Sequence, residues 1–230
     1  MRTIDAIAEI LKREGINILP SFPTTPVIEA AAAAGIKPVI CRQERVGVGI
    51  ADGWTRVKNG NPAGAFAMQY GPGAENAFAG VSTAFSDAVP MLLLPLGHPL
   101  ERDRVFPNFS SIRTYESVTK FAEQINQPKR VGDTLRRAFT QMRSGRPGPA
   151  LVEVPVDVVE DHGLLRGEVG EERARGDVGG LCDVGDRRRV IAALGEEAHG
   201  RLDDLLARAL LLAFSQSLWH VPIVANLHDV

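Results

Sequence analysis

The first 160 residues alternate between two hydrophobic patterns. In some segments apolar residues recur at helical spacing, and short apolar runs without polar alternation separate these segments. The first helical segment has its apolar residues at i, i+3, i+4 and i+7 and ends at a glycine. These positions are Ile4, Ile7, Ala8 and Leu11, followed by Gly15. The alternation predicts helices and strands in turn.

Five apolar runs predict strands. They are INIL (16–19), KPVI (37–40), AGAFAM (63–68), PMLLLPL (90–96) and PALVEVP (149–155). KPVI is predicted to be buried, and PMLLLPL lacks polar residues, as expected of a strand covered on both faces. Strands that alternate with helices through short turns predict an α/β fold. We expect a six-stranded, mostly parallel sheet with helices on both faces.

Three further helices are predicted between these strands. One opens at Thr25-Pro26 and closes at Gly35, with the threonine as N-cap and the proline as first helical residue. Another follows Glu44 and ends near Asn59-Gly60. The third follows Gly71-Pro72-Gly73, with Ala74, Ala77, Phe78, Val81 and Phe85 on one face. A last helical face precedes the final strand and consists of Val131, Leu135, Ala138, Phe139 and Met142.

The character of the chain changes after about residue 160. Residues 163–189 are dense in Gly, Arg and Glu and have little periodic apolar content. Such composition is typical of linkers and disordered segments. We therefore predict a folded domain over 1–160 and a poorly ordered tail over 161–230, with one helix at 201–214.

Net charge and the pattern of apolar residues exclude several function classes. The 230 residues carry a formal net charge of −2, which gives no basic surface for nucleic acid and no polybasic segment for a membrane. The apolar run 205–214 contains Arg208 and is too short to span a bilayer. An amphipathic helical pattern starts at the N-terminus itself, so we expect no signal peptide and a cytoplasmic location.

No metal site is predicted. Cys41 and Cys182 lie far apart and are expected to be free thiols. The histidines match no metal-ligand spacing, and the first of them is predicted to be a plain loop residue. They are His98, His162, His199, His220 and His228.

Candidate chemistry lies where predicted strands give way to helices. Glu44 stands between the strand KPVI and the next helix, and Gly71-Pro72-Gly73 follows the strand AGAFAM. Ligands of open parallel sheets bind at the carboxyl ends of the strands, so the two turns predict one crevice. From the residues alone, Glu44 either favours the helix N-terminus or accepts a proton. The glycine turn is either a ligand contact or a plain loop, and it is not a P-loop.

The helix after Glu44 is rich in small residues. Gly47, Gly49 and Gly53 lie within it, and glycine inside a helix costs up to about 1 kcal/mol relative to alanine. Their presence indicates that another backbone or a ligand comes close. The alternative is a tight helix crossing within the chain.

Three segments together identify a family resemblance. They are QERVGVGIADGWTR (43–56), AMQYGPGAENAFAGVSTAFSDAVPMLLLPLG (67–97) and SGRPGPALVEVPVDV (144–158). In this order they resemble the N-terminal, pyrimidine-binding domain of thiamine-diphosphate-dependent enzymes. The likeness is greatest to acetolactate synthases, with 2-oxoacid decarboxylases of the benzoylformate type close behind. It covers about residues 1–160 and implies a flavodoxin-like domain.

The resemblance implies roles for five residues at the cofactor. Glu44 matches the glutamate that hydrogen-bonds N1′ of the aminopyrimidine ring and so promotes removal of the C2 proton. Gly71, Pro72 and Gly73 match the turn that contacts this ring, and Asn76 matches the asparagine of the same loop.

The resemblance also implies substrate-side and interface residues. Phe106 and Lys120 fall where acetolactate synthases carry a phenylalanine and a lysine near the substrate entrance. A core aromatic and a solvated lysine are the alternatives. Gly53 and Trp54 match a Gly-aromatic pair that packs at a subunit interface in the family, which would account for the glycines.

Several positions depart from the family pattern. Gln43 replaces a histidine, Tyr70 replaces a small residue, and Pro107 stands where acetolactate synthases have a glutamine. These changes weaken the acetolactate branch more than the membership of the thiamine enzymes. The sequence also lacks the Gly-Asp-Gly motif that holds a divalent metal on the diphosphate.

Three hypotheses follow from the missing motif. The chain is a truncated gene product, or one subunit of a two-chain enzyme, or a non-catalytic binding module that keeps the fold. In the first two, Mg²⁺ is expected from a pyrophosphate-binding domain and any FAD from a middle domain, both outside this sequence. We expect a homo-oligomer or a hetero-oligomer with a pyrophosphate-domain chain, and a small 2-oxoacid as substrate.

Overall fold

A computed structural model describes residues 1–23, 26–103 and 105–161. Its strands are β1 Ile18–Ser21, β2 Lys37–Ile40, β3 Gly64–Met68, β4 Met91–Gly97, β5 Phe121–Gln124 and β6 Ala150–Pro155. They form one sheet in the order β2-β1-β3-β4-β6-β5, and every paired strand is parallel. The first four positions repeat the flavodoxin-like order 2-1-3-4. The predicted α/β fold is therefore confirmed.

Helices connect the strands. They are α1 Thr3–Arg13, α2 Val27–Ala33, α3 Glu44–Val57, α4 Pro72–Ser86, α5 Ser111–Tyr115, α6 Val131–Arg143 and α7 Val156–Val159. Single 3-10 turns lie at Leu100–Arg102, Glu116–Val118 and Pro128–Arg130. The long connection from β4 to β5 contains two of these turns and α5.

Two hydrophobic cores lie on opposite faces of the sheet because successive strand residues point in opposite directions. One core joins α1, α2, α6 and α7 to strand residues that include Ala65, Leu92, Leu94 and Val152. The other joins α3, α4 and α5 to Phe66, Met91, Leu93 and Leu151. The predicted helices on both faces are confirmed.

The helical faces predicted from periodicity are buried. All four apolar positions of α1 and all five of α6 lie in the core. Gly15 follows α1 with a φ of +86°, in the left-handed region that favours glycine at a helix end. On the predicted face of α4, Ala74, Ala77 and Val81 are buried, and Phe78 and Phe85 are half-buried.

Three strand predictions need correction. β2 is not buried, because it lies at the edge of the sheet with β1 as its one neighbour, and Ile40 is 55% exposed. The predicted strand 16–19 begins two residues before β1, because the Ile16 amide closes the end of α1 by donating to the Leu11 carbonyl. The sixth strand is β5 at the opposite edge of the sheet, and its sequence contains no apolar run.

Some predictions fall outside the described residues. These are the Thr25 cap and the tail over 162–230 with its helix at 201–214. Pro26 directly precedes α2, whose first residue is Val27. Among the residues that the structure describes, no helix has the length and apolar character needed to cross a membrane.

Candidate functional site

The site lies at the carboxyl ends of the strands. β2 runs through a short turn into α3, and β3 runs through another into α4, so the first turns of both helices stand at the same edge of the parallel sheet. Between β1 and β3 the sheet reverses its direction of winding. Open α/β sheets bind ligands in the crevice at such a reversal.

Glu44 is the first residue of α3 and is 5% exposed. Gln43 before it is extended, so the helix begins at the glutamate itself. The carboxylate thus lies at the positive end of the α3 dipole. A carboxylate this buried requires hydrogen-bond partners, because losing water without replacement is costly.

Asn76 provides one such partner. Its Nδ2 donates to Glu44 Oε2 at 2.8 Å, and the two residues are 32 positions apart. Asn76 lies on α4, so the bond joins the first turns of the two helices. The resemblance placed these residues at the same cofactor, and the structure brings them into contact.

The glycine turn covers the other side of the carboxylate. Gly71 has a φ of +56°, and Pro72 begins α4. A Cβ on Gly73 would lie 2.8 Å from Glu44 Oε1 and 2.8 Å from the Gln69 Cβ, so only glycine fits there. Among the described residues, no atom beyond its chain neighbours lies within 4 Å of a Cβ placed on Gly71. The turn therefore presses against Glu44 and leaves room beside its first glycine.

A buried tyrosine that sequence reasoning missed contacts the same helix. Tyr115, at the end of α5, is fully buried, and its hydroxyl donates to the Ala74 carbonyl at 2.6 Å. Phe78 packs edge-on against its ring, with the centroids 5.4 Å apart. Burial raises the pKa of the Tyr115 hydroxyl, which keeps it a neutral donor. In the sequence, Tyr115 is marked only as an aromatic residue between the polar residues Thr114 and Glu116.

Tyr70 and His98 form a second missed contact. Their rings lie 4.8 Å apart at an interplanar angle of 52°. Tyr70 follows β3 and His98 follows β4, which are neighbouring strands. His98 is thus more than the plain loop residue that we predicted, because it packs on the residue that leads into the glycine turn.

The two substrate-side candidates lie apart from each other in the fold. Phe106 follows β4 in the connection to α5 and is 94% exposed, so it is not a core aromatic. Lys120 directly precedes β5, at the amino ends of the strands, whereas Glu44 follows the carboxyl end of β2. The role of both residues near a substrate stays a prediction.

Lys120 is also not a freely solvated lysine. Its Nζ donates to the Ser144 carbonyl, and its stem packs against Gly148. Burial and, to a smaller extent, the charge of Arg146 lower the Lys120 pKa. The lysine therefore helps to close the end of α6.

The glycines of α3 face two different environments. A Cβ on Gly47 would lie 2.1 Å from a ring atom of Phe66, so this glycine allows the helix to pack tightly on β3. At Gly49 and Gly53 a Cβ would meet no described atom within 4 Å. Tight packing within the chain explains Gly47, whereas nothing in the described fold explains Gly49 and Gly53.

The described ranges offer no candidate metal centre. They contain no group of three or more His, Cys, Asp or Glu side chains placed to hold an ion. Cys41 is a buried free thiol whose pKa is raised by burial.

Comparison with known proteins assigns the chain to a family. Residues 1–124 match the family model described as thiamine pyrophosphate enzyme, N-terminal TPP binding domain. Over 162 residues the chain is 28% identical to the acetolactate synthase large subunit of Haemophilus influenzae, a match that covers 67% of this chain and 28% of that protein.

Two other relatives match the same region. Acetolactate synthase 2, chloroplastic, of Nicotiana tabacum is 31% identical over 160 residues, which covers 67% of this chain and 24% of the relative. Glyoxylate carboligase of Escherichia coli O157:H7 is 30% identical over 164 residues, which covers 69% and 28%. The chain thus spans about a quarter of the length of these curated relatives.

Proposed function

The chain belongs to the thiamine pyrophosphate enzymes, whose N-terminal TPP binding domain matches more than half of it, and from this membership we propose its function. It binds and activates the pyrimidine half of thiamine diphosphate in an acetolactate-synthase-like enzyme that acts on 2-oxoacids. The observation that carries this proposal is the buried Glu44 carboxylate held between Gly73 and Asn76.

The residues at the crevice fit an aminopyrimidine ring. Such a ring offers a nitrogen that exchanges a proton with a carboxylate, and Glu44 is a buried carboxylate just beyond the carboxyl end of β2. The glycine turn leaves space beside Gly71, whereas the Glu44 and Gln69 side chains lie against Gly73. Fixed main-chain groups beside one buried carboxylate suit a small, flat, nitrogen-rich ligand.

Each residue then has a defined task. Glu44 holds a proton between its carboxylate and the ring nitrogen, and low exposure strengthens that interaction. Asn76 fixes the orientation of the carboxylate through Oε2. Gly71, Pro72 and Gly73 form the wall against which the ring lies. When bound, the thiazolium half of the cofactor supplies the carbanion-stabilising chemistry of 2-oxoacid decarboxylation and carboligation.

A second chain that carries a pyrophosphate-binding domain completes the site in this proposal. The described residues offer no metal cluster, so a pyrophosphate-binding domain supplies the Mg²⁺ and the diphosphate contacts. The surface that supports association is the outer face of α3. It includes Gly49 and Gly53 with Val46, which is 52% exposed, and Val57, which is 83% exposed. We place this assembly in the cytoplasm.

Replacement of Glu44 tests the catalytic role. In the reconstituted enzyme, Glu44→Gln keeps the shape of the side chain and removes its charge. We expect the exchange of the C2 proton of thiamine diphosphate, followed by NMR in deuterium oxide, to slow by about 100-fold or more. Glu75→Gln is the matched control, because Glu75 lies exposed on the first turn of α4. Unchanged exchange in the Glu44 variant would contradict the role.

A second candidate is a 2-oxoacid decarboxylase of the benzoylformate type. Pro107 is the observation behind this candidate, because it stands where acetolactate synthases have a glutamine beside the cofactor. Product analysis separates the two: carboligation of pyruvate gives an acetohydroxy acid, whereas decarboxylation of an aromatic 2-oxoacid gives an aldehyde. A persistent partner without a Gly-Asp-Gly motif, with no effect of thiamine diphosphate on stability, would instead indicate a non-catalytic module.

A further inference from the structure

Tyr115 reaches the candidate site from a distant part of the chain. It ends the short helix α5 in the connection between β4 and β5, and it is fully buried. Its hydroxyl donates to the backbone carbonyl of Ala74, 41 positions earlier, at 2.6 Å. The backbone of Tyr115 is held in turn, because Thr119 Oγ1 donates to its carbonyl at 2.8 Å.

Ala74 lies between the two residues of α4 that contact Glu44. Gly73 directly precedes it and packs against Glu44 Oε1, and Asn76 lies two residues after it and donates to Oε2. A displacement of the first turn of α4 by a few tenths of an ångström therefore changes both contacts of the carboxylate. Through its hydroxyl, Tyr115 provides a side-chain hydrogen bond to this turn from outside the helix.

We propose that Tyr115 is a positioning residue for the thiamine diphosphate site, which it serves by holding the first turn of α4 against Glu44. This inference rests on the proposed function and adds a residue that does not touch the ligand. A carbonyl has two lone pairs, so the tyrosine bond leaves the helical bond of Ala74 intact. Phe78, which packs edge-on against the ring, limits the ring to one orientation.

The Tyr115 hydroxyl remains a hydrogen-bond donor over a wide pH range. Because burial raises the Tyr115 pKa above its ordinary value, the hydroxyl keeps its proton where the enzyme would work. A buried phenol that donates to a carbonyl has no reason to ionise, so the contact acts as a fixed support and not as a switch.

Tyr115→Phe tests the proposal in the full chain because it removes the hydroxyl and keeps the ring. The control is Thr55→Val, which removes a buried hydroxyl that bonds to the Ala51 carbonyl and the Gly64 amide near the other end of α3. Two properties are measured: amide hydrogen exchange along α4 of the chain without ligand, and the dissociation constant of thiamine diphosphate in the reconstituted enzyme by calorimetry. Exchange reports local opening of the helix.

We expect Tyr115→Phe to accelerate exchange in the first turn of α4 relative to its last turn, and to weaken thiamine diphosphate binding about fivefold. Thr55→Val should do neither, even if it lowers the thermal stability equally. An equal acceleration along the whole helix, or binding as in the wild type, overturns the proposal. If the wild type binds no thiamine diphosphate even in the reconstituted enzyme and the first turn still loosens, Tyr115 still holds α4 against Glu44, and the proposed function fails.

Discussion

Asn76 and Glu44 are joined by a hydrogen bond of 2.8 Å between the Nδ2 of one and the Oε2 of the other. Each residue lies near the start of a helix that follows a parallel strand, so the bond connects two turns that are distant in sequence. The carboxylate is buried, and the amide replaces water that it has lost. The pair is therefore both a structural contact and the centre of the candidate site.

Asn76→Ala removes the amide and leaves Glu44 Oε2 without this donor. Loss of a partner from a buried charged group costs about 1–3 kcal/mol. We expect a free energy of unfolding lower by about that amount, measured by urea denaturation at pH 7. Wild-type stability in this variant would show that water replaces the amide fully.

Asn76→Asp separates shape from charge at the same position. The variant keeps the size of the side chain and places a second carboxylate beside Glu44. Two such groups cannot both ionise cheaply, so one of them takes up a proton at a raised pKa. We expect the variant to be less stable than Asn76→Ala at pH 7 and to recover as the pH falls towards 5. A urea midpoint that does not change with pH would contradict this coupling.

Gly73→Ala introduces a methyl group where no space exists. The new Cβ would lie 2.8 Å from both Glu44 Oε1 and the Gln69 Cβ, which forces a local shift. Overpacking of this kind costs about 1–3 kcal/mol, and we expect thiamine diphosphate to bind at least tenfold more weakly.

Gly132→Ala is the matched control for Gly73→Ala. Both glycines are the second residue of their helices, and a Cβ on Gly132 meets no described atom within 4 Å. The control should be neutral or more stable by up to about 1 kcal/mol, because alanine favours the helix. Equal losses in the two variants would mean that contact with Glu44 is not the cause.

Periodicity predicted the helices well and the sheet edges poorly. The apolar faces of α1 and α6 follow helical spacing over three turns, and this pattern survives in the fold. β5 was not located, because a half-buried edge strand reading FAEQ has no apolar run to mark it. KPVI looked buried because sequence does not say which strand lies at the edge.

The candidate site, too, was predicted from the sequence only in part. The crevice between Glu44 and the glycine turn follows from strand polarity, because the carboxyl ends of parallel strands share one edge. The family resemblance placed Asn76 and Glu44 at the same cofactor, whereas their contact is a finding of the structure that no spacing in the chain predicts. The bond from Tyr115 to Ala74 spans 41 positions and comes from a five-residue helix, for which periodicity carries no signal.

The acid stability of the domain should depend on Asp5. A hydrogen bond from the Arg2 side chain is the main cause that lowers the Asp5 pKa. A carboxyl with a depressed pKa stabilises the fold above its unfolded value of about 3.9, and this contribution disappears as the pH falls through the folded pKa. We expect Asp5→Asn to have a lower urea midpoint than the wild type at pH 7 and to approach it below pH ~4. A difference that persists at pH ~2.5 would assign the loss to the helix cap instead.

Gly49 and Gly53 provide the sharpest test of association, because stability and assembly should change in opposite directions. In the isolated chain a Cβ at either position meets no described atom within 4 Å, so Gly49→Ala/Gly53→Ala should raise the thermal stability by removing flexibility from the unfolded state. If the outer face of α3 packs closely on another chain, the same methyl groups separate the two surfaces and weaken association. Sedimentation equilibrium measures the association, and thermal unfolding of the dilute chain measures the stability.

Gly47→Ala is the control on the inner face of the same helix. Its Cβ would lie 2.1 Å from the Phe66 ring, so this variant should lose about 1–3 kcal/mol of stability through overpacking alone. Gly49→Ala/Gly53→Ala should thus be more stable and less associated, and Gly47→Ala less stable at every concentration. If the double variant associates as tightly as the wild type, the outer face of α3 does not hold the assembly together. The partner that completes the site would then have to bind another surface of the domain.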